Sequence, residues 1–133
     1  MKLVVTLFFT LFISPLVLAQ VEFHPHTNDL NITVNSRHFA SYVFQDANIH
    51  RPYFHSFKTL KGEPITRNHP PIKGKDLTDH AEYHPGLWMA FGDISGHDYW
   101  RNKSRVKHVR FLKPPQSGKE KGSFTVLNLY LNE

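Results

Sequence analysis

The sequence predicts an all-β chain, an antiparallel β-sandwich carrying one long histidine-rich loop. Three observations predict it: short runs alternating apolar and polar residues, turn-forming clusters between those runs, and almost no segment with helical periodicity. Aromatic residues supply the core such a fold needs, with 11 Phe, 5 Tyr and 2 Trp in 133 residues.

The first element is not part of the sandwich. Lys2 precedes an apolar run from Leu3 to Leu18 that is interrupted only by Thr6, Thr10, Ser14 and Pro15 and ends at the small Ala19. A spanning helix needs about 20 predominantly apolar residues. This run is shorter and broken near its end, so residues 1–19 read as a secretory signal peptide cleaved before Gln20. The competing reading is an uncleaved N-terminal anchor. The roughly 114 residues that remain suit one small domain, exported to the periplasm or beyond, with no membrane span after cleavage.

Within the domain, Asn31 to Val34 and His38 to Phe44 read as strands, the second alternating Phe39, Ser41 and Val43 against Ala40, Tyr42 and Phe44. Pro52 to Phe57 leads through Lys61-Gly62-Glu63-Pro64 into Ile65-Thr66-Arg67, the pattern of a hairpin. From Asn68 to Pro85 the Pro and Gly punctuation is too dense for regular structure, and a loop this long inside a compact domain is usually functional or disordered. Gly86 to Phe91 is a continuous apolar run and reads as a central strand. Val106 to Leu112 alternates, and Ser123 to Leu131 is the most apolar strand. The chain ends two residues later, which reads as the N-terminal part of a longer reading frame.

Composition excludes several classes of chemistry. With no cysteine there are no disulfides, thiolate metal sites or cysteine nucleophiles. The net charge of +5 is spread along the chain. Its one basic cluster, Arg101, Lys103, Arg105, Lys107 and Arg110, fits a solvated strand face better than a nucleic-acid surface, because no nucleic-acid-binding fold accompanies it.

Arg51-Pro52-Tyr53-Phe54-His55, Ile65-Thr66-Arg67-Asn68-His69-Pro70 and the segment Thr78 to Lys103, which holds His84-Pro85-Gly86-Leu87-Trp88 and Phe91-Gly92-Asp93, come in this order. In these motifs the chain resembles the bacterial PmoA family, which carries the label "methane oxygenase PmoA" and otherwise consists of domains of unknown function. The resemblance runs from about Arg51 to Phe111. It implies that residues 20–133 form the N-terminal part of a larger β-sandwich, with a distant likeness to galactose-mutarotase-type supersandwiches. It also implies a place among exported proteins of polysaccharide-degrading bacteria. Many relatives have a second histidine where this chain has Pro85. The methane monooxygenase subunit of the same name is a multi-pass helical protein, and nothing past Leu18 here could span a bilayer that way.

Candidate site residues follow from side-chain chemistry. His80 and His84 are the candidate catalytic residues, since imidazole titrates near neutral pH: in a mutarotase-like reaction one histidine protonates a ring oxygen while a carboxylate, not placed in the sequence, takes the anomeric hydroxyl proton. Arg67, His69, Trp88 and Asp93 are candidates for binding a small-molecule or oligosaccharide ligand, with Arg67 and Asp93 on hydroxyls and Trp88 or Trp100 against a sugar ring. Each has a plainer reading: Trp88 as core, Asp93 as a turn cap, Arg67 as an ion-pair partner and His69 as structural. Alternatively His80, His84 and Asp79 ligate a divalent metal, in a hydrolase or oxidoreductase; on the first reading no cofactor is needed. A third reading is a non-catalytic envelope protein.

Overall fold

The computed structural model describes residues 20–132; the leader expected over residues 1–19 lies outside them. Seven strands and no helix form among the described residues: β1 (Val21–Pro25), β2 (Asp29–Val34), β3 (Arg37–Val43), β4 (Tyr53–His55), β5 (Leu87–Trp88), β6 (Arg105–Gln116) and β7 (Ser123–Leu131). β1 to β5 make one sheet in chain order, and β6 and β7 make a second. All pairings are antiparallel. The expected all-β, antiparallel, sandwich-like class is therefore what the chain forms.

Alternation along the strands gives the larger sheet two chemically different faces, because cross-strand partners point the same way. One face carries the row Leu30, Tyr42, Phe54 and Leu87 together with Ile32 and Ala40. Leu30 and Ala40 are fully buried there. The β6–β7 ribbon covers this face through Phe124, whose ring centroid lies 5.6 Å from Phe23, 5.1 Å from Tyr42 and 5.8 Å from Phe111. Such aromatic pairs add about 0.5–1.5 kcal/mol each beyond their buried area. The opposite face carries a polar row, Asn31, Ser41 and His55, and a mixed row, Asp29, Val43, Tyr53 and Trp88.

Local chemistry sets the connections. β2 turns into β3 through Asn35 and Ser36, both at positive φ (51° and 58°), the conformation that two-residue hairpin turns demand and Asn tolerates. An extra residue in β3, Phe39, shifts the register between Ile32 and Thr33, so that His38 joins the polar face. The hairpin expected over 52–67 narrows to a single bridge, Lys58 to Pro64, closed by the Thr59 to Gly62 turn. Pro64 has no amide hydrogen with which to extend it. No strand forms between β4 and β5, so the loop expected over 68–85 is present and begins earlier.

The run Gly86 to Phe91 is not a central strand. Only Leu87 and Trp88 pair, at the end of the sheet, and Met89 is 74% exposed. The chain leaves the sheet because Tyr99 N–H takes the Phe91 carbonyl and Gly92 and Asp93 then turn it away. The apolar residues instead wall a cavity of about 490 Å³ between the sheets, lined by Leu87, Met89, Phe54, Tyr42, Val126 and Tyr130 among others.

Candidate functional site

The loop between β4 and β5 lies over the polar face, and a cleft of about 190 Å³ remains between them. His38, Ser41, Ser56, Thr66, Arg67 and Asn68 are among its lining residues. His38 bridges sheet and loop, its Nδ1 2.7 Å from Asn31 Oδ1 and its Nε2 3.0 Å from the Ser56 carbonyl. The cleft is thus walled by hydroxyl, amide and imidazole groups together with the apolar Phe57 and Pro64 and the cationic Lys58 and Arg67.

Beside it runs a chain of three hydrogen-bonding groups. Tyr53 Oη donates to Asp46 Oδ2 at 2.7 Å and lies 3.2 Å from His69 Nε2. With the tyrosine proton committed to the carboxylate, Nε2 carries the imidazole hydrogen and donates to Oη. His69 Nδ1 is then the basic nitrogen, and it is buried with no protein hydrogen-bond partner. His55 completes the group, with its ring centroid 5.6 Å from that of His69 and its Nδ1 2.8 Å from Ser56 Oγ.

Burial pushes the His69 imidazole down, and the nearby Arg67 charge lowers it further against the opposing pull of Asp46. Burial also lowers His55, aided by His69 and His38. Asp46 goes down as well: burial raises it, but the Tyr53 hydroxyl, the amides of Asn48 and Ile49 and the neighbouring His69 together outweigh burial. Burial and the bond to Asp46 push the Tyr53 hydroxyl strongly upward.

These directions fix a pH dependence. A histidine whose folded pKa is depressed binds fewer protons folded than unfolded, so stability is complete above about pH 6.5 and is lost as pH falls toward the folded value. Asp46 acts in a different window, since its contribution is lost only below about pH 3.9. The urea midpoint is expected to fall between about pH 7 and pH 5.5, with a smaller fall in the His55→Gln, His69→Gln double variant. Equal slopes for the two proteins would exclude these histidines as the cause.

The structure brings only some of the sequence candidates together. Arg67 serves the loop: its guanidinium donates to the carbonyls of Leu77 (2.6 Å), Asp79 (2.9 Å), His80 (3.3 Å) and His84 (3.1 Å), besides the Asp79 carboxylate at 3.5 Å. His80 and His84 sit on one turn closed by His84 N–H to the His80 carbonyl, both exposed. They begin an aromatic ladder: His80 to His84 at 5.7 Å, His84 to Trp88 at 5.5 Å and Trp88 to Trp100 at 5.6 Å between centroids. Asp79 meets His80 Nδ1 at 3.1 Å, but among the described residues no three His, Asp or Glu side chains form a group that could hold a metal ion. Asp93 caps its own turn, accepting from Gly96 N–H at 2.7 Å. Of the candidate binding residues, Arg67 lines the cleft and His69 follows the lining residue Asn68, whereas Trp88 is a half-buried rung of the ladder.

A family model described as a family of unknown function, DUF6807, matches residues 29–133. The chain belongs to the DUF6807 family. No curated protein and no solved structure matches it. The family match spans the polar and mixed rows, the loop and the ladder, so the whole candidate site lies within the family domain. Asp46, Tyr53, His55, His38 and Ser41 were not among the sequence candidates. The available signal was period-two spacing: Tyr53 and His55 share a strand face, as do Ser41 and Val43 in the neighbouring strand.

Proposed function

We propose that this DUF6807 protein is exported and handles carbohydrate, binding or modifying a saccharide on the histidine-rich face of its larger sheet. The observation that carries this reading is the polar cleft lying beside the Asp46–Tyr53–His69 chain. Sugar recognition requires several donors and acceptors, and the lining supplies His38 and Ser41 from the sheet and Ser56, Thr66 and Asn68 from the loop. Trp100, 40% exposed at the end of the ladder, offers a ring face. The resemblance of the Arg51 to Phe111 motifs to PmoA-labelled proteins of polysaccharide-degrading bacteria supports the same class, and the apolar leader supports export.

The test is calorimetric titration of neutral mono- and oligosaccharides into the wild-type protein and into Ser41→Leu, which fills the cleft from the sheet side. Saturable binding by the wild type, weakened about tenfold or more (~1.4 kcal/mol) in Ser41→Leu at an unchanged melting temperature, is the expected result. A panel in which no saccharide binds at millimolar concentration, or binding indifferent to Ser41→Leu, refutes the reading.

A further inference from the structure

A second concavity lies away from the polar cleft, where the start of β6 meets the segment leading into β4. Val106 N–H donates to the His50 carbonyl at 2.7 Å, and His50 N–H donates to Asn102 Oδ1 at 2.6 Å. Together they hold open a groove of about 320 Å³ whose lining includes Asp46, His50, Arg51, Arg105, Lys107 and His108.

Its charge is one-sided. Arg51, Arg105 and Lys107 are permanent cations, and the single lining carboxylate, Asp46, is already committed to the Tyr53 hydroxyl and the amides of Asn48 and Ile49. Arg105 and Lys107 are exposed and make no salt bridge among the described residues. Arg51 is only 3% exposed. Its NH1 and NH2 donate to the Tyr99 and Tyr83 carbonyls, while its Nε is buried without a partner among the described residues.

The Asp98 charge offsets part of the burial of Arg51 without hydrogen-bonding to it, a buried guanidinium bonded to no carboxylate remains costly, and converging cations raise the potential of a groove toward anions. The alternation of Arg105 and Lys107 along β6, which in sequence reads as a solvated face, places both cations at the mouth of this groove. We propose that the groove is an oxyanion-binding site for a carboxylate or sulfate group on a small ligand, with Arg105 and Lys107 at its mouth and Arg51 and His50 at its wall. The proposal does not rest on the saccharide reading: the groove and the polar cleft share no lining residue, although Asp46 lines the groove and also bonds Tyr53.

Calorimetric titration of sodium sulfate, sodium acetate and sodium galacturonate at fixed ionic strength, with sodium chloride as the control, tests it. The sulfate and carboxylate arms show which oxyanion the groove takes. At least one oxyanion is expected to bind saturably, and the double variant Arg105→Gln, Lys107→Gln is expected to weaken it about tenfold or more. Lys119→Gln, Lys121→Gln, remote on the exposed β6–β7 turn, is expected to bind as the wild type does. Both pairs are exposed, so unchanged melting temperatures will confirm intact folds. Absence of saturable heat with every oxyanion, equal heat from chloride, or binding unchanged in the Arg105, Lys107 variant overturns the proposal. Binding of galacturonate with none of acetate or sulfate also overturns it, because the sugar ring would then be the recognised group.

Discussion

Gly86→Ala is expected to destabilise the protein by about 3 kcal/mol, at the upper end of the overpacking range. For a domain of this size that lowers the melting temperature by more than about 10 °C. A β-carbon at Gly86 would collide with the Phe54 carbonyl oxygen and lie 3.0 Å from His55 Cα. Both atoms are β4 backbone, so no side-chain rotation relieves the clash. The strand can yield only by opening the pairs of Tyr53 with Trp88 and Phe54 with Leu87, the one ladder that holds β5 among the described residues. Gly92 is the matched control, since nothing lies within 4 Å of a β-carbon built there, and Gly92→Ala is expected to stay within about 0.5 kcal/mol of wild type. Urea unfolding of both variants decides the matter; equal midpoints would mean that β5 contributes nothing to the sheet.

The strand class was legible wherever one face meets the core and the other does not, because such strands must alternate. β2 and β3 show this in Leu30, Ile32, Ala40 and Tyr42, all buried, set between Asn31, Ser41 and Val43. The same reasoning misplaced Gly86 to Phe91. A continuous apolar run is consistent with burial on both sides, but it equally describes a short edge segment whose side chains wall a cavity. Which of the two holds depends on the neighbouring strands, and that information lies far away in the chain. β1 went unrecognised because Val21-Glu22-Phe23-His24-Pro25 is short and carries a proline, a residue that sequence reasoning demotes and that an edge strand accepts.

The site was legible as a region but not as a constellation. Histidine density and punctuation marked the loop, yet spacing could not tell which imidazole faces solvent and which faces the sheet. His80 and His84, adjacent on one turn, are exposed. His69, followed by two prolines and easily read as structural, reaches back to Tyr53 and through it to Asp46. That chain joins three separate segments, and only sheet register reveals it. Arg67 shows the complementary lesson: an arginine in a polar loop reads as a ligand partner, whereas loop carbonyls left outside any sheet must find donors, and Arg67 supplies them.

Arg51→Met is the substitution in which the loop, the ladder and the core meet. Methionine keeps the apolar stem's packing and removes the guanidinium, which lies 5.4 Å from the Trp88 ring centroid and donates to the Tyr83 carbonyl at 2.8 Å and, more weakly, to the Tyr99 carbonyl at 3.4 Å. Each buried acceptor left unsatisfied costs about 1–3 kcal/mol. Removing a desolvated charge returns part of that, and the lost cation–π contact adds about 0.5–2 kcal/mol to the cost. The net expectation is a loss of about 2–3 kcal/mol, with faster hydrogen exchange around Tyr83 and Trp100 than in the β2–β3 hairpin. Arg51→Lys separates charge from geometry, because an ammonium is a point donor on a shorter reach and cannot bridge two carbonyls as a planar fork does. It is therefore expected to recover less than half of the loss. Full recovery by lysine would make the buried charge, rather than the two-carbonyl tether, the element that holds the loop onto the sheet.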